Sequence, residues 1–343
     1  MDIFSTQVLS KVVERLRTPP SFLLDTFFPN VQTSDKEEIL FDVTDSKPRI
    51  SPFVSPLLPG KIVDSGGYRT KSFKPAYVKD KRRFDANIPF KRLAGETIGG
   101  SLSPNQRYER ALATTLTDQL DNLITRREEV MAAEILRTGK VIVSGDGYPA
   151  QTVDFGRDEE LTKALSGSAT WESSGVNPVD DLEDWAITIQ DKSGVVAKTV
   201  VMDPQAWKIF RSNSIVQKYL DIRRGTNNTI NIDPHIISES EKVRYAGSIG
   251  DFAIWVYNDT YIDDKGKTCK LLPEKTVILG SKDGLEGTRC YGAIHDEKAN
   301  WTATRYFTKS WLEEDPSVRW LLLQSAPLVV PYRPNASMFV NIG

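Results

Sequence analysis

Two histidines, His235 and His295, and two cysteines, Cys269 and Cys290, are all that 343 residues offer of these types. Neither His lies in an H-E-x-x-H frame, and the cysteines have no neighbouring His and no metal spacing. All four read as structural. Four carboxylates crowd together at Asp180, Asp181, Glu183 and Asp184. Oxygen ligands in that number suit Mg2+, so a metal-dependent enzyme is one reading of them. They also open a predicted helix, where acids favour the macrodipole with no metal at all, and that reading is preferred. Gly280-Ser281-Lys282-Asp283-Gly284 with Gly287 approaches a phosphate loop at the wrong spacing and reads as a turn. There is no G-x-S-x-G elbow, Walker A or G-x-G-x-x-G. No catalytic residue, metal ligand or cofactor site is assigned.

The remaining chemistry is charge. Residues 61–92 hold ten Lys or Arg against three Asp, a net of +7. Tyr68, Phe73, Tyr77, Phe84 and Phe90 are interleaved with them, as in a nucleic-acid strip, and a nucleic-acid binding protein is a second reading. From 146 to 191 the sign reverses: eleven acids stand against Arg157 and Lys163, a net of −9. The whole chain carries only −2, which argues against general affinity for polyanions. Opposite segments in one chain suit contacts between identical copies. The candidates for such contacts are Lys71, Lys74, Lys79, Lys81, Arg82 and Arg83 on one side and Asp180, Asp181, Glu183 and Asp184 on the other. Arg223 and Arg224 join them in a predicted exposed turn.

The element that must hold these segments apart is a single predicted helix over residues 103–139. Ser103-Pro104-Asn105-Gln106 is a capping box with Pro at the first helical position, and Gly139 after Arg137-Thr138 is the stop. Tyr108, Leu112, Leu116, Leu120, Leu123, Val130 and Met131 recur at spacings of three, four and seven and form one apolar stripe. Glu128 and Glu129 count among the charges that balance its arginines. At about three times the mean helix length it reads as a structural spar.

Around it the chain divides. Residues 5–17 form an amphipathic helix through Val8, Leu9, Val12, Val13 and Leu16, ended by Pro19-Pro20. They begin an arm, residues 1–50, of the kind that is disordered or laid on another chain. Residues 51–95 form an extended basic loop of two strands, punctuated by Pro and Gly. Residues 141–155 form a hairpin. A helix from Asn177-Pro178 to about Gln190 buries Leu182, Trp185, Ala186 and Ile189. A mixed α/β unit follows, and strands are expected at 290–294, 301–306, 319–323, 328–330 and 338–342. The length exceeds what one core usually serves, so two modules are expected. Composition is that of a soluble protein; no signal peptide or membrane-spanning segment is read.

The order of these parts, an α+β chain with arm, extended loop, long helix and compact α/β unit, resembles the Hong Kong 97-type major capsid proteins of tailed bacteriophages. Within them it is similar to the lambda-type family. The residues that carry this are S-P-L-L-P-G-K-I-V-D-S-G-G (55–67), F-K-P-A-Y-V-K (73–79), Y-P-A-Q-T-V-D-F-G-R (148–157), D-P-Q-A-W (203–207), D-I-R-R-G (221–225), Y-G-A-I-H-D (291–296) and Q-S-A-P-L (324–328). The resemblance implies a spine helix 103–139 within a peripheral domain of residues 96–175. It implies an axial domain over 176–297 and a return to the peripheral domain over 298–343. It implies a non-enzymatic coat protein that assembles as hexamers and pentamers in the bacterial host cytoplasm and ends in the virion. A scaffolding protein, a portal and a decoration protein are the implied partners, and double-stranded DNA is enclosed without sequence-specific binding. Some relatives cross-link a loop Lys to a neighbouring subunit; nothing here selects one lysine, and no cross-link is assigned.

Overall fold

A computed structural model describes residues 6–15, 21–36, 38–44, 68–85, 87, 90–91, 102–145, 147–217, 242–263, 265–299, 303–315 and 318–343. Arg223, Arg224, His235 and the 55–67 motif lie outside these residues.

The long helix is present and begins as its sequence dictates. Ser103 Oγ accepts from Gln106 N at 3.3 Å, and Ser103 N donates to Gln106 Oε1 at 2.9 Å, which closes the capping box. It ends at Gly139, in the left-handed region at φ 71°. Between the caps it is not uniform. It is α-helical over α3 (Pro104–Gln119), widens to a π-turn over Leu120–Thr125, and returns to α over α4 (Arg126–Thr138).

The π-turn corrects the expected single stripe. Leu112 and Leu116 before it are buried together with Leu120 and Ile124 within it, a first set, and Met131, Ala132, Ala133, Ile135 and Leu136 after it form a second. At about 100° per residue, an unbroken α-helix would turn the second set roughly 130° away from the first. One extra residue absorbed in a wide turn brings the two faces back to within about 35°. Tyr108 and Val130, expected among the core residues of the stripe, are half-buried instead. The side chain of Leu123 lies outside the described residues.

Each half of the helix serves a different core. The first half packs with α1 (Thr6–Arg15) against a sheet of β4 (Val78–Asp85), β15 (Phe307–Glu313) and β16 (Val318–Ser325), in the order β15-β16-β4. Leu9, Val13, Phe84, Leu321 and Leu323 close that core. The second half packs with α2 (Phe22–Phe27) against β14 (Gly287–Tyr291) and β17 (Pro327–Pro331). β1 (Asn30–Thr33) adds to β14 in parallel. The described part of the arm is therefore packed on its own chain: Leu9, Leu23, Leu24, Phe27 and Phe28 have no exposed surface.

The extended loop is stemmed by β2 (Ile39–Thr44) and β3 (Tyr68–Phe73), antiparallel, so its first strand precedes residue 51. β4 leaves this pair and joins β16. The hairpin β5 (Lys140–Gly145) and β6 (Tyr148–Asp154) follows the spine.

The α/β unit is a six-stranded sheet in the order β7-β18-β13-β8-β10-β9. Its strands are β7 (Thr162–Ala164), β8 (Thr199–Met202), β9 (Val243–Ile249), β10 (Phe252–Tyr257), β13 (Thr276–Gly280) and β18 (Ser337–Asn341). A small hairpin, β11 (Thr260–Ile262) and β12 (Thr268–Lys270), hangs from β10. Alternation divides the central strands between two cores. Val200, Met202, Val277, Leu279 and Ile254 face α5 (Pro178–Ser193) and α6 (Pro204–Ser212). Val201, Ile278, Trp255 and Tyr257 face the arm and spine. Both faces are covered, so these strands read as continuous apolar runs. Two boundaries differ from expectation. β18 and β7 enter this sheet, so neither 298–343 nor 96–175 stays wholly with the first module. Of the strand expected at 301–306, residues 301 and 302 lie outside the described residues; 303–306 hold one bridge, Ala293 with Ala303, and β15 starts at Phe307.

Candidate assembly surfaces

The spine also carries polar groups that an apolar stripe does not reveal. Glu128 and Glu129, in the first turn of α4, are buried, 0% and 2% exposed. Glu129 accepts from Leu23 N and Leu24 N, both at 3.0 Å, and from Tyr257 Oη at 2.8 Å. It thus caps α2 from the side and ties the arm to β10. Arg289 completes the clamp by donating to Phe28 O at 2.8 Å and Asp25 Oδ1 at 2.6 Å. Burial raises the pKa of Glu129, and its three donors pull the other way. Glu128 is different: its oxygens have no partner at hydrogen-bond geometry, and Arg305 Nη2 stands 3.8 Å away. Burial raises its pKa, with Arg305 and then the Tyr291 hydroxyl opposing. At the far end, Arg157 donates to Leu136 O and Arg137 O at 2.6 Å each, taking up carbonyls that the helix end leaves open. Burial lowers its pKa to about 10.

The structure sorts the charged candidates. Lys71 Nζ donates to Asp154 O, and Arg82 pairs with Asp80 and Asp118 beneath the sheet. Asp181 accepts from Trp171 Nε1 at 2.8 Å, where Trp171 stacks on Trp185. Those three are engaged inside the chain. Lys74, Lys79, Lys81 and Arg83 are exposed, the last three on the outer face of β4. Asp180, Glu183 and Asp184 are exposed on α5. Other acids of the negative segment find cations at home: Asp158 and Glu160 meet Lys192 at 2.8 Å, Asp154 meets Lys140 at 2.8 Å, and Glu172 meets Lys275 at 2.9 Å. Among the described residues, Lys79, Lys81 and Arg83 share one sheet face, and Asp180, Glu183 and Asp184 share one helix face.

Neither surface is arranged for bond chemistry. Among the described residues no three His, Cys, Asp or Glu converge as metal ligands. Burial pushes the Cys290 thiol up to about 11, the opposite of what activates a nucleophile. His295 is exposed beside the Tyr77 ring, 5.9 Å between centroids. A cleft of about 580 Å³ beside α6 is lined by Trp171, Gln205, Lys208 and the Glu172–Lys275 pair. Among the described residues no helix is long and apolar enough to cross a membrane.

A spar helix joining two modules, a docked arm and an extended loop make up the Hong Kong 97-type capsid fold. A prophage capsid protein from Escherichia coli CFT073 superposes with a TM-score of 0.76 at 25% identity over 99% of both chains. The capsid chain of an empty gene transfer agent particle shares the fold alone, at a TM-score of 0.51 and 11% identity over 96% of this chain and 92% of its own. The chain belongs to the phage major capsid protein E family, whose sequence profile matches residues 5–342. It is 30% identical to the major capsid proteins of Escherichia phage lambda and Escherichia phage N15, and 100% of each chain is covered in both comparisons. It is a capsid protein, and its place is the shell of a virion.

Proposed function

We propose that the chain builds the icosahedral head of a lambda-like tailed phage or prophage by assembling into hexamers and pentamers. It catalyses no reaction, and it encloses double-stranded DNA without reading its sequence. The observation that carries this is the end-to-end match to lambda-type major capsid proteins, over 100% of both chains. A scaffolding protein, a portal and a decoration protein are the partners this reading names. The near-neutral net charge of −2 fits a wall that must let DNA slide during packaging, since a cationic wall would hold phosphate by counterion release. Exposed Lys74, Lys79, Lys81 and Arg83 and exposed Asp180, Glu183 and Asp184 serve contacts between copies.

Electron microscopy of the overexpressed chain, alone and with the head genes beside its own, tests the reading. Closed shells or free capsomers are expected. A compact monomer that forms neither under any condition overturns it.

A further inference from the structure

The two exposed charged faces match in more than sign. Pairing register fixes the outer face of β15-β16-β4. Lys81 lies across from Leu322 and Leu322 from Lys309; Arg83 lies across from Trp320 and Trp320 from Trp311. Lys81 Nζ sits 4.0 Å from the Trp320 ring centroid and 5.2 Å from that of Trp311. A cation row, Lys79-Lys81-Arg83, about 14 Å long at about 3.4 Å per residue, therefore borders a half-buried apolar strip of Leu322, Trp320 and Trp311. The α1 and spine side chains of the first core pack on the opposite face with Leu321 and Leu323.

The outer face of α5 is the counterpart. Asp180, Glu183, Asp184, Ile187 and Asp191 are exposed at helical spacing, over about 16 Å at about 1.5 Å per residue. Ile187 is 55% exposed in the middle of that acidic row. One surface sets cations beside an apolar strip, at whose far edge Glu313 accepts from Trp320 Nε1 at 2.8 Å. The other sets acids around a single apolar side chain, over a similar length. An apolar centre with a charged rim is the ordinary anatomy of a protein interface.

We propose that the outer face of β15-β16-β4 of one copy receives the outer face of α5 of the next. Ile187 covers Leu322 and Trp320, and Asp180, Glu183 and Asp184 meet Lys79, Lys81 and Arg83. The proposal rests on the self-assembly reading above and names the contact it uses. The two faces sit on different modules of the same chain, so the contact is heterologous and repeats head to tail, giving a ring where the rotation from copy to copy closes. The occupant is a second copy rather than DNA because a duplex offers phosphate to the cations but keeps its base faces stacked away from the indoles.

Zero-length carbodiimide coupling of assembled particles, read by peptide mass spectrometry, tests it. Amide links from Lys79 or Lys81 to the α5 peptide are expected in particles and absent in dilute monomer. Lys81→Glu and Asp184→Lys should each cut the assembled fraction about tenfold, and the double variant should recover most of it, as an opposed charge pair requires. Particles that form without those links, or a double variant as poor as both singles together, overturn the contact while leaving self-assembly intact. A wild-type chain that forms no particle removes the reading beneath it and the contact with it. Salt-sensitive binding of a 30-base-pair duplex, lost in Lys81→Glu and unchanged in Asp184→Lys, assigns the face to DNA and overturns the proposal.

Discussion

Glu128 and Glu129 are adjacent, equally buried and chemically identical, yet they should answer the same substitution in opposite ways. Glu129 uses both oxygens to accept two backbone N–H groups and a phenol. Glu129→Gln replaces an acceptor with a donor facing a donor and should cost about 1–3 kcal/mol. Glu128 has no partner at hydrogen-bond geometry. Its pKa is raised by burial above the ordinary 4.5, so the native chain holds the proton more tightly than the unfolded one. Its stabilising effect is full below that value and is lost as pH rises toward the native pKa. Glu128→Gln, a neutral isostere, should therefore raise the melting temperature at pH 7, and the gain should shrink as pH falls to about 4.5. Arg305 donates to Tyr291 Oη at 2.9 Å, a bond whose two partners the substitution leaves in place. A Glu128→Gln chain less stable than wild type at pH 7 would mean that attraction to Arg305 outweighs the cost of burying the charge. Gly139 gives a third residue test. A Cβ there would lie 2.7 Å from Arg157 Cβ and sit at φ 71°, so Gly139→Ala should cost about 1–2 kcal/mol before Arg157 is displaced. The readout is a lower denaturant midpoint at unchanged slope. An unmoved midpoint would show that Arg157 yields freely. The sequence announces Gly139, whose position after a cation is a helix stop. It holds no sign of the Glu pair, because a local charge count cannot tell a solvated acid from one that caps a helix more than 100 residues away in sequence.

At the scale of the element, the spine is legible in its ends and misleading in its middle. The capping box and Gly139 depend on local chemistry and stand where the sequence places them. The stripe depends on a constant 3.6-residue period, and the π-turn breaks that period by one residue. A constant period therefore selects Val130, which is half-buried, where Ile135 and Leu136 are buried. A turn of this kind behaves as a single insertion held in place by the cores on either side. Deleting Asn122 should therefore give an uninterrupted α-helix with both buried faces still aligned, a cooperative melt and undiminished helical circular dichroism. Inserting an Ala after Asn122 adds a second surplus residue and rotates Leu112 and Leu116 by a further turn of about 100°. That variant should lose cooperative unfolding. If the deletion unfolds the chain and the insertion does not, the π-turn is not absorbing a surplus residue. A folded deletion variant that no longer assembles would assign the wide turn to shell building rather than to the monomer.

For the molecule as a whole, the order of parts is readable while the closure between them is not. β18 pairs with β13 and β7, and α2 packs with β14 and β17, so both chain ends close structures begun far away in sequence. No local pattern specifies such pairings. Charge behaves likewise: segments of +7 and −9 are visible in the sequence, but which of their members pair within the chain is not, as Arg82 with Asp118, Lys192 with Asp158 and Lys275 with Glu172 do. Charge also carries a kinetic consequence. A net charge of −2 offers little repulsion between copies, so attraction between the two faces should set the rate of encounter. The screening length falls from about 10 Å at 0.1 M salt to about 3 Å at 1 M. Attraction across the gap before contact is then lost, while pairs already touching around Ile187, Leu322 and Trp320 are screened less and keep their apolar centre. Assembly followed by light scattering should slow about tenfold or more between 0.05 M and 1 M NaCl, with a much smaller change in the final assembled fraction. The Lys81→Glu, Asp184→Lys double variant should show the same dependence, because the pair is exchanged rather than removed. A rate that rises with salt would mean that repulsion between like charges governs encounter, and the two faces would not be what brings copies together.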